Sequence, residues 1–170
     1  MVSEDGLQAD DSKVRALRQQ LLNPMKMSAW MLAKLPLALI AGLRVTHADA
    51  ASCEVTVPYG WRSQNPFRST YFAALAMAAE MSTGVLGLTV VQSSPKPVSM
   101  LITSMQAEFV KKATDTTTFT CEAGEAFAAA VAKTVQDGES VTVTAESIGR
   151  NEAGLEVARF TFTWSFKRKS

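Results

Sequence analysis

One long apolar run with a single charge constrains the fold of this sequence more than any other feature. Glu80 is the only charged residue among the 27 that separate Arg68 from Lys96. The part from Thr70 to Leu86 is rich in alanine on several sides, which is typical of a helix that is buried on most of its faces. Small side chains also let a sheet approach the helix backbone closely. The sequence therefore predicts a helix at residues 70–86 that a curved sheet encloses.

The carboxylate of Glu80 needs a physical reason to lie in such a helix. Moving an ionised carboxylate out of water without a partner is costly, so these groups are normally paired, neutralised by a pKa shift or kept for chemistry. Glu80 is therefore the first candidate for a functional residue. The alternative is a structural carboxylate that accepts a hydrogen bond from a backbone amide or a tyrosine hydroxyl.

The segments around this helix predict an antiparallel sheet. Residues 44–57 alternate between apolar and polar side chains, which predicts a hairpin. Further strands are predicted at residues 98–111, 116–123, 140–149 and 155–167. The last is the clearest, because Phe160, Phe162 and Trp164 alternate with polar residues and so give the strand one aromatic face. A helix that Gly138 stops separates the second of these strands from the third. This order of elements is α+β.

An N-terminal helical extension at residues 1–42 precedes the predicted domain at residues 43–170. Helices are predicted at residues 12–22, behind an N-cap at Ser12, and at residues 28–35, where Pro36 ends or kinks the helix. The long central helix is expected to have Ser69 or Thr70 as its cap. The apolar stretch after Met25 imitates a secretory signal, but about two dozen residues precede it and charged residues interrupt it. We therefore expect a cytoplasmic protein.

Composition and single residues exclude several classes of protein. With 170 residues, of which 47% are apolar, the chain has the size of one soluble domain. The balance of 17 basic and 16 acidic residues gives no electrostatic argument for nucleic acid or a membrane surface, and we expect neither as a partner. Cys53 and Cys121 lie in different predicted strands, so we expect buried reduced thiols, with no metal site and no cofactor. His47 has no nucleophile motif nearby, which gives a hydrolase triad little support and indicates a surface or interface residue.

The segment NPFRSTYFAALAMAAEMSTG, at residues 65–84, resembles the hotdog-fold thioesterases, in particular the PaaI-like group and a related, poorly characterised branch. In those families a strongly bent antiparallel sheet wraps a central helix, an Asn precedes the helix, HGG opens it, and an Asp or Glu lies about two turns inside. Asn65 and Glu80 stand 15 positions apart, like that Asn and acid. Tyr71 and Phe72 occupy the first HGG positions. The resemblance covers residues 43–167 and implies the hotdog fold.

The resemblance implies an acyl thioester hydrolase that acts on acyl-CoA or an acyl carrier, in a homodimer or a tetramer. Glu80, from the partner subunit as the family implies, would activate water or attack the thioester carbonyl. Backbone N–H groups near Tyr71 and Phe72 would hold the developing oxyanion. These donors belong to the backbone, so loss of HGG does not remove them, although Phe72 in place of a glycine could obstruct close approach. Apolar surroundings would raise the pKa of Glu80.

Other residues of the predicted site have two interpretations each. Asn65 could position the water or the substrate carbonyl, or it could start a turn by bonding its own backbone. Tyr71 could donate a hydrogen bond, although a tyrosine in the first turn of a buried helix is more often packing. Ser99, which matches the family's third strand, could orient Glu80 or water, but serine is common in strands. Arg68, with its basic neighbours Arg62, Lys111 and Lys112, could meet the phosphates of coenzyme A or form a solvated face.

Two other functions remain open at this point. A non-catalytic protein that binds acyl chains or other apolar ligands is favoured by the missing HGG and by the bulk of Tyr71 and Phe72. An interaction module would use Glu80 as a structural residue. Substitution of Glu80 by Gln separates these functions, because an enzyme would lose turnover, a binder would retain ligand-induced stabilisation, and a module would change in melting alone.

Overall fold

The structure is a computed structural model that describes residues 15–169. In this part of the chain the helices are α1 at residues 15–22, α2 at Pro24–Lys34, α3 at Pro36–Ala41, α4 at Phe72–Gln92 and α5 at Gly124–Asp137. The strands are β1 at Arg44–Ala48, β2 at Cys53–Val57, β3 at Val98–Phe109, β4 at Thr117–Cys121, β5 at Val141–Arg150 and β6 at Glu156–Arg168. The predicted α+β order is confirmed.

All six strands form one antiparallel sheet in the order β1-β2-β4-β5-β6-β3. Helix α4 contacts every strand of this sheet, so the sheet encloses it as predicted. Strand β3 lies at one edge and pairs with β6 along its whole length, from Val98 opposite Arg168 to Phe109 opposite Ala158. The edge strands β1 and β3 therefore differ greatly in length, with 5 and 12 residues.

The core lies between α4 and the inner face of the sheet. The aromatic face predicted for β6 is confirmed, because Phe160, Phe162, Trp164 and Phe166 are all buried. The rings of Phe160 and Phe162 stack with centroids 6.0 Å apart, and Phe160 meets Phe119 of β4 edge to face at 5.7 Å. Burial of aromatic side chains of this size supplies much of the free energy that holds a sheet against a helix.

Helix α4 differs from its prediction at both ends. It starts after Tyr71 with no side-chain cap, because Ser69 bonds Asn65 and the Thr70 hydroxyl donates to the carbonyl of Ala113 at 3.2 Å. It also continues past Leu86 to Gln92. Hydroxyls in its second half donate to carbonyls of the preceding turn, as from Thr89 to Leu86 at 2.7 Å, so polar side chains stay satisfied inside the helix. Of the described helices, α4 alone is long and apolar enough to cross a membrane, and it is the enclosed core helix.

The N-terminal helices pack on the domain through buried apolar side chains. Helix α2 begins at Pro24 and not at residue 28, since the Asn23 side chain accepts from the amides of Met25 and Lys26 at 3.1 Å each. Asn followed by Pro thus starts this helix and does not merely break the preceding one. Pro36 opens the separate helix α3, which Gly42 ends with a φ of 83°. The predicted cap at Ser12 lies outside the described residues.

Cys53 and Cys121 face each other across β2 and β4 and are free, buried thiols, as predicted. Burial raises the pKa of Cys53 to about 12 and that of Cys121 to about 11. Because the thiolate is the reactive form, both groups are held in an unreactive state.

Gly149 of β5 is a position where the sheet has no room for a side chain. A Cβ at this residue would lie 2.5 Å from the Cε1 and Cζ atoms of the buried Phe119 ring. We expect Gly149→Ala to lower the free energy of unfolding by about 1–3 kcal/mol, because the ring or the backbone must shift. Urea unfolding measures this. Gly60→Ala is the matched control, since nothing lies within 4 Å of its Cβ position. Equal stability of the two variants would contradict the prediction.

Candidate active site

Glu80 lies in the third turn of α4 with its carboxylate over Gly84. A Cβ at Gly84 would lie 3.0 Å from the Glu80 Oε1 atom and 3.6 Å from Cη2 of Trp164. The missing side chain at position 84 therefore leaves space for the carboxylate beside the Trp164 ring. The indole N–H of Trp164 donates to the Thr83 hydroxyl at 3.0 Å, and Thr83 in turn donates to the backbone carbonyl of Glu80 at 2.9 Å. The ring that borders the carboxylate is thus held in place by α4 itself.

Burial raises the pKa of Glu80, and nothing offsets it. Within residues 15–169, no salt bridge and no hydrogen-bond donor meets its carboxylate. The structural alternative, a bond to a backbone amide or a tyrosine hydroxyl, is therefore not found in the described part of the chain. A carboxyl group with a raised pKa and no partner is costly for the fold and is a candidate for chemistry.

The raised pKa of Glu80 predicts a pH effect on stability. The native state keeps a proton on Glu80 at pH values where the unfolded chain has released it, so the free energy of unfolding falls as pH rises from the ordinary carboxyl pKa through the raised one. One pKa unit corresponds to about 1.4 kcal/mol. We expect Glu80→Gln to remove this part of the pH dependence and to be the more stable protein above the window. Urea unfolding of both proteins over a pH series tests this, and parallel curves would contradict it.

A cavity of about 450 Å³ opens at the start of α4. Its lining includes Asn65, Phe67, Tyr71, Phe72, Leu75, Phe109, Lys111 and Lys112. Tyr71 and Phe72 are about half exposed here, so neither is buried packing. Phe72 meets Phe109 edge to face at 6.5 Å, and Phe109 meets the core ring of Phe160 at 5.7 Å. The cavity is therefore an aromatic cleft that leads from the surface towards the core.

The first backbone amides of α4, the helix that starts at this cavity, have no side-chain cap. The amide of Tyr71 is not available, because it donates to the carbonyl of Ser63 at 2.6 Å. The amides of Phe72 and Ala73 meet no acceptor among the described residues. Uncapped N–H groups at a helix start favour a negative charge. Of the backbone amides near Tyr71 and Phe72 that were expected to hold an oxyanion, those of Phe72 and Ala73 are thus the ones without an acceptor in the described part of the chain.

Asn65 organises the loop that leads into α4. Its Oδ1 atom accepts from the amide of Phe67 at 2.9 Å and from Ser69, and its Nδ2 atom donates to the Ser69 hydroxyl at 3.1 Å. These are the local bonds expected of a turn residue. Arg68 in the same loop has a φ of 58°, a left-handed conformation that non-glycine residues seldom adopt. Arg68 is exposed and does not line the cavity.

The chain does not bring all the predicted site residues together. Glu80 is nine residues beyond Tyr71, which corresponds to about 13 Å along a helix, and it does not line the cavity. Ser99 lies near the start of β3, donates to the carbonyl of Lys167 at 3.1 Å and borders a separate cleft with Lys167, Arg168 and Lys169. Ten residues of strand, about 33 Å, separate Ser99 from Phe109 at the cavity. Asn65, Tyr71 and Phe72 share one cavity, which the predicted phosphate-binding candidates Lys111 and Lys112 also line.

The remaining candidates lie elsewhere. His47 on β1 is partly exposed, as expected of a surface residue, and its Nε2 atom lies 3.1 Å from the Oδ2 atom of Asp49. Within residues 15–169, no three His, Cys, Asp or Glu side chains lie together in a way that could hold a metal ion.

The family described as a domain of unknown function, DUF4442, matches residues 24–166 of this sequence. The chain belongs to the DUF4442 family. The match includes helices α2 and α3 as well as the sheet, so these helices are part of the DUF4442 region. No curated protein matches the sequence.

Solved structures similar to this DUF4442 chain include several hotdog-fold proteins. A probable thioesterase of unknown function from Pseudomonas aeruginosa has a TM-score of 0.74 at 18% identity, covering 91% of this chain and 95% of its own. A thioesterase from Haemophilus influenzae has a TM-score of 0.61 at 13% identity, with coverage of 81% and 87%. A variant of a thioesterase from Staphylococcus aureus has a TM-score of 0.61 at 16% identity, with coverage of 78% and 98%. At these identities the likeness establishes the hotdog fold, as predicted.

Sequence reasoning missed the residues that surround the carboxylate in this DUF4442 chain. Gly84 follows Glu80 by one helical turn, which is a signal that the sequence did contain. Trp164 comes from a strand 84 positions later, and no local pattern connects the two residues. Phe109, at the end of β3, gave no signal beyond an ordinary strand residue.

Proposed function

We propose that this protein hydrolyses acyl thioesters, with Glu80 as the general base or nucleophile. The observation that carries the proposal is a largely buried carboxylate whose pKa is raised by burial and which has no partner in residues 15–169. It lies in a hotdog fold, and the similar solved structures include proteins named thioesterases. Function has to be argued from the site, since a fold hosts many activities.

The chemistry follows from the two groups that α4 provides. The Glu80 carboxylate takes a proton from water as the water oxygen bonds to the thioester carbon, and a raised pKa makes it a stronger base. The N–H groups of Phe72 and Ala73 stabilise the negative carbonyl oxygen of the intermediate. The carbon–sulfur bond then breaks, and the thiolate that leaves recovers the proton from Glu80. Alternatively the carboxylate itself attacks the thioester carbon and the carbon–sulfur bond breaks, so that the thiolate leaves and an anhydride forms. Water then hydrolyses the anhydride, which releases the acid, regenerates Glu80 and supplies the proton that the thiolate takes up.

One chain alone does not complete this arrangement. The separation of about 12 Å along the helix between Glu80 and Phe72 at the start of α4 is far more than the ~3–3.5 Å at which reacting groups act. The outer edge of β3, on the side away from β6, supports a second copy as the missing part, because no described strand pairs with that edge and Leu101, Met105 and Phe109 are exposed along the strand. Open apolar edges of this length are templates for another strand. We therefore include a homodimer joined through β3 in the proposal.

Antiparallel pairing of two β3 strands about their midpoint has a further consequence. It places the Ser99 end of one strand beside the Phe109 end of the other, so the two clefts that are separate in one chain become neighbours. Ser99 of one chain would then lie beside the cavity that Tyr71 and Phe72 line in the other. A closed twofold dimer is also the commonest way in which soluble chains assemble.

The cavity favours an acyl-CoA as the substrate. Aromatic side chains line its interior, and apolar lining with few polar groups suits an acyl chain. Lys111 and Lys112 lie at its rim, where they can meet phosphate groups. The Nζ atom of Lys112 donates a hydrogen bond to the backbone carbonyl of Phe67 at 3.3 Å. Thiol release from acyl-CoAs of short, medium, long and aromatic acyl groups tests the activity. Turnover of at least one is expected, and turnover of none would contradict the proposal.

Removal of the rim charges tests the choice of carrier. For Lys111→Gln with Lys112→Gln we expect the KM for acyl-CoA to rise by about tenfold with kcat unchanged, because exposed charge pairs contribute up to ~1 kcal/mol each. The same acyl group on N-acetylcysteamine lacks the phosphates and should show no change. Lys96→Gln with Lys133→Gln is the matched control, since neither residue lines the cavity. Equal effects on both substrates would point to another role for the two lysines.

One observation favours a second candidate, a non-catalytic binder of acyl chains or other apolar ligands. The exposed rings of Tyr71 and Phe72 stand 4.9 Å apart at the start of α4, where the family resemblance implies glycine. A ligand could pack on these rings without its carbonyl reaching the amides behind them. Such a protein would show no thiol release with any acyl-CoA, but its melting temperature would rise with a bound fatty acid.

A further inference from the structure

The charges of the N-terminal helices are all of one sign. Residues 15–41, which form these helices, contain four of the 17 basic residues and none of the 16 acidic ones. The basic residues are Arg15, Arg18, Lys26 and Lys34. In the whole chain the numbers of basic and acidic residues are nearly equal, which gave no reason to expect a membrane partner. That equality conceals the excess of basic residues in these helices. Within α2 and α3 the charged residues are Lys26 and Lys34, both in α2, so the two helices together carry two positive charges and no negative one.

The same two helices are apolar on both sides. Helix α2 buries Met27 and Met31 against the domain, but on its outer side Met25 is 82% and Leu32 66% exposed. Helix α3 buries Ala38 and Ala41, while Leu37 is 69% and Ile40 57% exposed. Lys26 and Lys34 are exposed beside them. We call the outer residues the α2–α3 face: Met25, Lys26, Leu32, Lys34, Leu37 and Ile40.

We propose that the α2–α3 face docks the protein on an anionic lipid surface. Helices with exposed apolar side chains flanked by lysines lie in the membrane interface, where the apolar groups enter the lipid and the cations meet anionic headgroups. The helices have 11 and 6 residues, far below the ~20 needed to span a bilayer. The docking is therefore peripheral. It does not depend on whether the protein hydrolyses thioesters.

A second copy of the chain is a poorer occupant of this face. In a twofold contact the same surface meets itself, so the lysines would face other cations with no acidic residue of α2 or α3 between them. The cores of protein interfaces are also depleted in lysine. An anionic lipid surface complements both the charge and the apolar character of the face.

The loop next to α3 extends the interaction towards the cavity. Gly42, which ends α3, packs against Arg62, since a Cβ there would lie 3.0 Å from the Arg62 Nη2 atom. Trp61 beside it is 86% exposed, and tryptophan is the residue most typical of the membrane interface. The same loop continues to Phe67, which lines the cavity. Lipid docking would thus hold this loop, and with it one wall of the cavity, near the bilayer.

Cosedimentation with vesicles tests the docking, with the full chain so that the four acidic residues among the first eleven can compete with lipid. We expect binding to phosphatidylcholine vesicles that contain phosphatidylglycerol, weak binding to phosphatidylcholine alone, and weaker binding at high salt. Lys26→Gln with Lys34→Gln should lower the partition coefficient by about 30-fold. Lys167→Gln with Lys169→Gln makes the same charge change at the far end of β6 and should bind like the wild type.

The apolar part of the face is tested by Leu37→Ser with Ile40→Ser. These exposed changes should leave the circular dichroism spectrum and the molecular mass unchanged and reduce vesicle binding. Absence of wild-type binding to the vesicles that contain phosphatidylglycerol would overturn the proposal, as would equal loss of binding in the two lysine variants. A fall in the mass of Leu37→Ser with Ile40→Ser, measured by sedimentation equilibrium, would also overturn it and identify the face as a contact between copies.

Discussion

Glu80→Gln is expected to reduce hydrolysis of an acyl-CoA by about 10²–10⁴-fold, the usual contribution of a positioned general base. Glutamine has the same shape but cannot accept the proton from water. The change breaks no hydrogen bond and no salt bridge within residues 15–169, so it should leave the fold intact. Thiol release under saturating substrate measures the effect, and circular dichroism checks the fold.

Glu122→Gln is the matched control for this experiment, because it makes the same chemical change on the surface. It should hydrolyse at the wild-type rate. Loss of activity in both variants would indicate a general effect of charge. Full activity of Glu80→Gln would remove the carboxylate from the mechanism and leave the backbone amides of α4 as the remaining catalytic groups. An inactive wild type would favour the non-catalytic binder.

The predictable parts of the fold are those in which a local sequence pattern depends directly on the tertiary structure. The alternation in β6 reveals a sheet with one face in the core, since side chains of a strand alternate between its two faces. Gly138 revealed the end of α5 because it has a φ of 80°, a conformation that favours glycine. In both cases the residue type itself carries the structural requirement.

The ends of α4 were not predictable in this way. The expected cap hydroxyls of Ser69 and Thr70 are bonded to Asn65 and to Ala113, and the second of these partners is 43 residues away. Threonine and valine after Leu86 have modest helix propensity, yet tertiary burial retains them in the helix. Where a sheet encloses a helix on most sides, the free energy of packing outweighs the helix propensity of the individual residues.

In the candidate site, too, some features could be predicted from the sequence and others could not. Glu80 was detectable because a single charge in an apolar run is a local anomaly. Its environment was not, because Trp164 reaches it from β6, a strand 84 positions later in the sequence. Ser99 shows the limit of motif alignment. Its position in β3 matched the family pattern, but in one chain it lies at the other end of the strand from the cavity.

Activity should return when two inactive variants of this protein are mixed, if each site uses two chains. Phe72→Asp is the partner for Glu80→Gln, because a carboxylate in the first turn stabilises the helix but repels the developing oxyanion. Phe72 is more than half exposed, so the fold should tolerate the change. Each variant alone should be inactive. In a mixed dimer one site carries both changes and the other carries neither, so one site in two is intact.

Equal amounts of the two variants, unfolded together and refolded, give half mixed dimers by random assortment, so about a quarter of the wild-type activity should return. Different affinity tags on the two chains verify that they exchange. The double variant Phe72→Asp with Glu80→Gln, refolded with an equal amount of wild type, gives the converse result. About a quarter of the activity of an all-wild-type sample should remain for shared sites and about half for sites within one chain. No recovery in tagged mixed dimers, together with half retention, would place Glu80 and the α4 amides in the same chain and require α4 to bend or break between them.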